Sequence, residues 1–127
     1  MSFRFNAKKG LIIVPSEIEG PEGSAVLRLA LDTGATSTVI NPSLVVALGY
    51  DIGVVPDRVE MTTGSGIEFA VRIALSKIIA LGEIRTSFPV LVHALPPSAG
   101  VDGMLGLDFF RDRALTINFR RAIVEIA

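Results

Sequence analysis

Residues 29–36 read Leu-Ala-Leu-Asp-Thr-Gly-Ala-Thr, an apolar strand that runs directly into an acid, a hydroxyl and a glycine. Small and apolar residues flank Asp32 on both sides, whereas a strand that simply ends at the surface is followed by polar turn residues. A carboxylate held at the end of a buried strand is partly shielded from water, which suits acid–base chemistry. Gly34 lets a second backbone or a ligand approach closely. Asp32 is therefore the candidate functional residue; the alternative is that its side chain only forms a turn.

The overall composition limits the possible classes of protein. The chain has 127 residues, half of them hydrophobic, with 12 basic and 13 acidic side chains and a formal net charge of −1. This length predicts a single domain, 1–127, and the apolar excess suggests a surface buried against a second copy. The balanced charge argues against nucleic-acid binding, and the apolar runs are too short to span a membrane. Without a signal-peptide pattern at its start, the chain is expected in the cytoplasm.

Cysteine is absent and His93 is the single histidine. These counts exclude a disulfide framework and a thiolate site, and they leave too few residues for a metal cluster or a Ser-His-Asp triad. We therefore expect no metal and no other cofactor. Because no second histidine or cysteine can join it as a ligand or base, we interpret His93 as a structural residue on a strand.

The first half of the chain predicts short strands and one helix. A β-branched run, 11–14, is expected to end at Pro15, and a turn at 19–23 leads into a second strand, 24–31, that delivers Asp32. A short return strand is expected at 36–40. Asn41 then caps a helix whose first position is Pro42.

The second half predicts more strands, a glycine-rich hairpin tip and a second helix. The tip lies between strands at 58–61 and 67–73, and it is either an ordinary surface turn or a mobile flap that closes over a bound peptide: Thr62, Thr63, Gly64, Ser65, Gly66. Separate strands are expected at 76–81 and 88–93. Asp102 is expected to cap a short helix that begins near Gly103, with Asp108 on its surface. A closing hairpin follows at 115–126.

Two motifs together resemble those of retropepsin-like aspartic proteases. Asp32-Thr33-Gly34 followed by Ala35 is similar to the active-site loop of that family, and Met104-Leu105-Gly106 is similar to the two apolar residues and glycine near its C-terminus. The order of elements also matches from about residue 11 to residue 126. The segment 107–110 looks closer to cellular and bacterial members than to viral ones, which usually carry arginine where Leu107 stands. The resemblance implies a mainly β, closed, retropepsin-like barrel with two short helices.

The resemblance also implies an activity. Aspartic peptidases hydrolyse peptide bonds with a water molecule activated between two carboxylates, and this chain has a single Asp-Thr-Gly loop. A homodimer would supply the second Asp32 across a two-fold axis. The two carboxylates would share one proton, as in aspartic proteases generally, so activity should fall as pH rises and that proton is lost. The expected partners are a second copy of the chain and a peptide or protein substrate.

The resemblance assigns further roles by position. Thr33 would bond across the dimer axis, Ala35 and Thr36 would line the floor of the site, and the glycine-rich tip would cover the substrate. Residues 3–5 and 123–126 alternate between apolar and polar side chains as strands do, so the two chain ends could interleave with those of a partner chain in one sheet. Four apolar residues are expected, from their type and their order in the chain, to line pockets for substrate side chains: Val39, Ile67, Phe69, Leu95.

Two other interpretations stay open from the sequence. The same fold can serve as a catalytically silent dimerisation or peptide-binding module. The chain can also be a domain of a longer precursor or of a membrane-tethered protease. Asp102 and Asp108 also lie beside glycine or aromatic residues, but as a helix cap and a surface acid they are not expected to be catalytic.

Overall fold

The computed structural model describes residues 1–53 and 57–127. Within these ranges the chain forms ten strands and one α-helix. The strands are β1 (Ser2–Arg4), β2 (Ile13–Gly20), β3 (Gly23–Leu31), β4 (Val39–Ile40), β5 (Arg58–Thr63), β6 (Gly66–Ala80), β7 (Glu83–Val92), β8 (Gly103–Leu105), β9 (Leu115–Asn118) and β10 (Ile123–Ile126). The helix, α1, is Pro42–Ala47. The prediction of a mainly β domain is confirmed.

The central feature is a closed barrel. Its strands follow the order β2-β3-β8-β4-β7-β6, and pairing between β2 and β6 closes the circle. β5 lies outside the circle and pairs with β6 alone. Two neighbouring pairs, β3–β8 and β4–β7, are parallel, while β8 and β4 run antiparallel to each other. This arrangement brings the end of β3, the end of β8 and the start of β4 to one place.

The strand predicted to end at Pro15 continues past it to Gly20, so that boundary is wrong. In β2 the side chains of Val14, Ser16 and Ile18 are buried while those between them face outwards, as alternation in a half-buried strand requires. β2 pairs with β6 only from Ser16 onwards. At Pro15 the strand therefore has a partner on one side only, where a missing N–H group is tolerated.

The strands predicted separately at 67–73 and 76–81 are one long strand, β6. The alternation of buried residues changes phase near Ser76, which is why the sequence indicated two strands. At this point the backbone N–H of Ser76 donates to the Tyr50 hydroxyl at 2.8 Å. In the adjacent strand β7, Ser87 has a φ of +48°, a local irregularity opposite the phase change.

The first predicted helix is confirmed as α1. Asn41 is its N-cap, with its side chain accepting from the Ser43 N–H at 3.4 Å, and Pro42 holds the first position. No helix among the described residues has both the length and the apolar character needed to cross a membrane.

The second helix predicted from Gly103 is wrong. Gly103–Leu105 is strand β8, and a single 3₁₀ turn follows at Leu107–Phe110. Asp102 does not cap a helix; its carboxylate accepts from the Arg28 N–H at 2.8 Å and so joins β3 to the start of β8. A three-residue strand that begins at Gly103 and is followed by Gly106 is too short to show a period, so the local sequence favoured the capped helix.

The two chain ends form a small separate sheet in the order β1-β10-β9. Residues 2–4 pair antiparallel with 123–125 of the same chain, and β10 pairs with β9 on its other side. The predicted closing hairpin is confirmed. Both sides of β10 are paired within the chain, so among the described residues the edges of this sheet that lack a strand partner are those of β1 and β9.

Candidate active site

Asp32 lies directly after β3, in a turn that its own side chain stabilises. The backbone N–H of Gly34 donates to Asp32 Oδ1 at 2.9 Å, and that of Ala35 donates to the Asp32 carbonyl at 3.2 Å. Asp32 is half-buried, whereas Thr33 and Gly34 are exposed at the tip of the loop. Asp32 can therefore both form a turn and act as a functional residue, because the turn fixes the orientation of its carboxylate.

The Asp32 loop is held against the segment after β8. The Asp32 N–H donates to the Leu105 carbonyl at 3.0 Å, and the Leu107 N–H donates to the Ala35 carbonyl at 2.8 Å. Gly106 lies between these two bonds. A Cβ atom at residue 106 would lie 2.7 Å from the Ser37 carbonyl oxygen, so only glycine allows the two backbones to pack this closely. The Met104-Leu105-Gly106 element is therefore part of the support of the Asp32 loop.

Asp108 is not a surface acid, as the sequence had suggested, but the third link in this support. Both of its carboxylate oxygens accept from the Thr38 N–H, at 3.0 and 2.9 Å, and Oδ1 also accepts from the Thr38 hydroxyl at 2.7 Å. The same hydroxyl accepts from the Gly106 N–H at 3.1 Å. Thr38 is fully buried, so its N–H and hydroxyl groups cannot bond to water. The Asp108 carboxylate supplies the hydrogen-bond acceptor in place of water. No local pattern connects two residues this far apart in sequence.

We expect Asp108→Asn to lower the free energy of unfolding by about 1–2 kcal/mol, because the buried Thr38 groups lose a charged acceptor. Chemical denaturation followed by circular dichroism measures this change. Asp51→Asn is the matched control, since Asp51 is exposed and accepts from the nearby Gly53 N–H at 3.1 Å in a local turn. Equal stability of the two variants would show that the Asp108–Thr38 link contributes nothing.

A cleft of about 480 Å³ opens beside Asp32. One wall is the Asp32 loop with the start of β4, and the opposite wall is β5: Asp32, Gly34, Ala35, Thr36, Ser37 and Val39 on the first, and Val59, Glu60, Met61 and Thr62 on the second. Leu91 and Met104 complete the lining. Ala35, Thr36 and Val39, which the sequence had placed at the floor or the pockets of the site, are thus among the residues that line the cleft.

The glycine-rich tip predicted from the sequence is the end of the β5–β6 hairpin. Thr63 pairs with Gly66 at the last rung, Thr62 pairs with Ile67, and Gly64 and Ser65 form the turn. Gly66 has a φ of +124°, which only glycine adopts readily. Thr62 lines the same cleft as Asp32. The structure thus brings β5 and the Asp32 loop together across the cleft.

A second, mainly apolar cavity of about 310 Å³ shares Asp32 and Met104 with the cleft. It is lined by residues from the start of the chain, β3 and the segment after β7: Leu11, Ala30, Leu31, Leu95, Pro96, Ala99, Val101. Leu95 is therefore part of the lining of this cavity. Ile67 and Phe69 do not line the cleft; both side chains are about two-thirds exposed, at 63% and 66%, on the other face of β6 from Ala70. The prediction for these two residues is wrong because the pattern showed the alternation but not which face was buried.

His93 follows β7, and its Nε2 lies 2.9 Å from Oε2 of Glu68 on the hairpin. Within the described part of the chain, no three His, Cys, Asp or Glu side chains are grouped closely enough to hold a metal ion.

Comparison with solved structures identifies the fold. A retropepsin-like aspartic protease from Rickettsia conorii superposes with a TM-score of 0.73 at 15% sequence identity, over 98% of this chain and 86% of that one. The retroviral protease-like domain of Ddi1 from Leishmania major superposes with a TM-score of 0.62 at 18% identity, over 94% of this chain and 90% of that one. The fold is retropepsin-like, and the resemblance seen in the sequence is confirmed.

The family follows from the sequence match. The model of the family described as aspartyl protease matches residues 14–109, which include both the Asp32 loop and the Met104-Leu105-Gly106 element. The chain therefore belongs to the aspartyl protease family. Comparison with curated protein sequences finds no match.

Proposed function

We propose that this chain is an aspartic endopeptidase that acts as a homodimer. The observation that carries the proposal is the position of Asp32. Three hydrogen bonds hold its loop against the segment after β8, and Asp32 lines a cleft of about 480 Å³. Fixed geometry of this kind is what acid–base catalysis requires.

The dimer is proposed because one carboxylate cannot perform both proton transfers. Hydrolysis requires one Asp32 to take a proton from water while the second donates a proton to the substrate. Thr33 and Gly34 are exposed at the loop tip of the single chain, which leaves them accessible to the same loop of a second copy. A two-fold axis there would place the two carboxylates together. Thr33 would then bond across the axis.

The substrate in this proposal is an extended peptide. The hairpin tip, 62–66, would lie over it as a flap, and the backbone of β5 would form strand-like hydrogen bonds with it. The second cavity, whose lining is almost entirely apolar, would accept an apolar side chain next to the cleaved bond. No metal and no cofactor take part.

The proposal is tested by incubating the protein with a mixed peptide library at several protein concentrations and between about pH 4 and 7, the range in which two carboxylates share a proton. Mass spectrometry identifies the cuts. We expect specific activity to rise with protein concentration, because monomers lack a complete site. We also expect it to fall as pH rises within this range. A dimer by sedimentation that cuts nothing at any pH would favour the silent binding module instead.

A further inference from the structure

The outer part of the β5–β6 hairpin, residues 59–70, is here called the arm. The last pair between β6 and the barrel strand β7 joins Val71 to Val92, so among the described residues the strand pairing of the arm is between its own two strands. A two-stranded ribbon is marginally stable on its own. Its base is packed, since Val59, Met61 and Ala70 contact the barrel residues Val39 and Leu91. The outer arm needs some other contact to hold it in place.

One ion pair joins the arm to the barrel at this point. Glu68 Oε2 lies 2.9 Å from His93 Nε2, and the other ring nitrogen, Nδ1, lies 2.8 Å from the Ala94 carbonyl oxygen. Both ring nitrogens thus face oxygens that only accept hydrogen bonds. The His93 ring is therefore held on both sides, once by the backbone of the segment after β7 and once by the arm.

The barrel partner is itself fixed. The His93 backbone N–H donates to the Ile40 carbonyl at 3.2 Å, at the end of β4. The His93 side chain is 22% exposed and that of Glu68 is 45% exposed. Other ion pairs of the described residues lie elsewhere: Arg72–Asp57 at the base of the hairpin, Lys77–Glu19 between β6 and β2, and Arg113–Glu83.

The pair also lies on the face of the arm that packs against the barrel, the face of Val59, Met61 and Ala70. Glu68 is directly opposite Met61 in the register of the hairpin, so the two side chains share a face. Met61 lines the cleft together with Asp32. A bond from Glu68 to the barrel therefore holds this face of the arm, including the cleft-lining Met61, against the barrel.

We propose that Glu68 and His93 are positioning residues whose ion pair tethers the arm over the Asp32 cleft. An effect of this tether on catalysis rests on the proposed function. If the chain is an endopeptidase, the tether sets how readily the flap opens for substrate. The tether itself is a property of the folded chain, and it can be measured without any substrate.

Amide hydrogen exchange, followed by mass spectrometry, tests the tether. We expect Glu68→Gln and His93→Gln each to speed exchange of arm amides by about two- to five-fold, the size expected for one half-exposed ion pair. The double variant should exchange no faster than either single variant, because all three lack the same bond. Exchanging the two residues, Glu68→His with His93→Glu, should restore slow exchange.

Glu19→Gln is the matched control, because Glu19 Oε2 lies 3.1 Å from Lys77 Nζ on the same strand β6 but outside the arm. It should leave arm exchange unchanged. Amides of β3 report whether each variant keeps the barrel intact. Arm exchange at the wild-type rate in Glu68→Gln, or equal acceleration by the Glu19 control, would overturn the proposal.

Peptide cleavage then separates the tether from the proposed activity. If the endopeptidase proposal holds, Glu68→Gln should raise KM several-fold while kcat changes less, because an untethered flap weakens substrate binding more than chemistry. Faster arm exchange in a protein that cleaves no peptide would support the tether and contradict the endopeptidase. Peptide cleavage by the wild type, with arm exchange in Glu68→Gln at the wild-type rate, would support the endopeptidase and contradict the tether.

Discussion

Asp32→Asn is expected to lower peptide cleavage by about a thousand-fold or more, because in the proposed dimer an amide could neither take a proton from water nor share one with the second carboxylate. The fold should survive the change. The bond that Asp32 makes within the loop is accepted by Oδ1 from the Gly34 N–H at 2.9 Å, and the asparagine carbonyl oxygen can accept it equally. Loss of activity would therefore report chemistry and not unfolding.

Asp112→Asn is the control for this experiment. Asp112 is exposed and has a φ of +64°, a conformation that asparagine adopts readily, so the same change of residue should leave both stability and cleavage near the wild-type values. Cleavage by Asp32→Asn at the wild-type rate would contradict the assignment of Asp32 as the catalytic acid.

The same variant tests whether two chains share one site. When wild type is mixed with a nine-fold excess of Asp32→Asn and the subunits are allowed to exchange, only about one-tenth of the wild-type chains find a wild-type partner. Activity per wild-type chain should fall to about that fraction. A monomeric enzyme would keep its full activity in the mixture.

The position of Asp32 could be predicted from sequence because each step is local. An apolar run predicts a strand, the following Asp-Thr-Gly predicts a tight turn, and both are found at the end of β3. The helix at Pro42 was likewise predictable, because its cap and its proline are adjacent in the chain. Local signals of this kind depend on neighbours within a few residues.

The support of the site could not be predicted in the same way. Strand β8 has three residues, and its parallel pairing with β3 links residues far apart in the chain. Asp108 acquires its role only from the buried Thr38, and β6 looked like two strands because a change of phase in a twisted strand resembles a break. Those contacts depend on tertiary structure, and no local period carries them.

Gly106→Ala is expected to lower the free energy of unfolding by about 3 kcal/mol, near the upper end of the cost of inserting a methyl group into a packed site. The φ of Gly106 is −93°, which any residue adopts, so the effect comes from contact alone. The new Cβ would lie 2.7 Å from the carbonyl carbon and oxygen of Ser37 and 2.9 Å from the carbonyl oxygen of Ala35. These are backbone atoms, which cannot rotate away as a side chain can.

The backbone must therefore separate, and the separation falls on the Asp32 loop. Ala35 is bonded to the Leu107 N–H at 2.8 Å, and Thr38 to the Gly106 N–H at 3.1 Å, so a shift at residue 106 displaces both ends of the loop. Since catalysis depends on sub-ångström placement, we expect cleavage to fall by about a hundred-fold even in the fraction that remains folded. Thermal denaturation and the rate of cleavage by folded protein measure the two effects separately.

Gly10→Ala controls for the loss of a glycine as such. No atom lies within 4 Å of a Cβ built at residue 10, and the residue is exposed, so this variant should match the wild type in both measurements. If Gly106→Ala were as stable and as active as Gly10→Ala, the backbone contact at Gly106 would not be what positions Asp32. The apolar-apolar-glycine element would then have to act through Met104 and Leu105, whose strand β8 is paired on both sides.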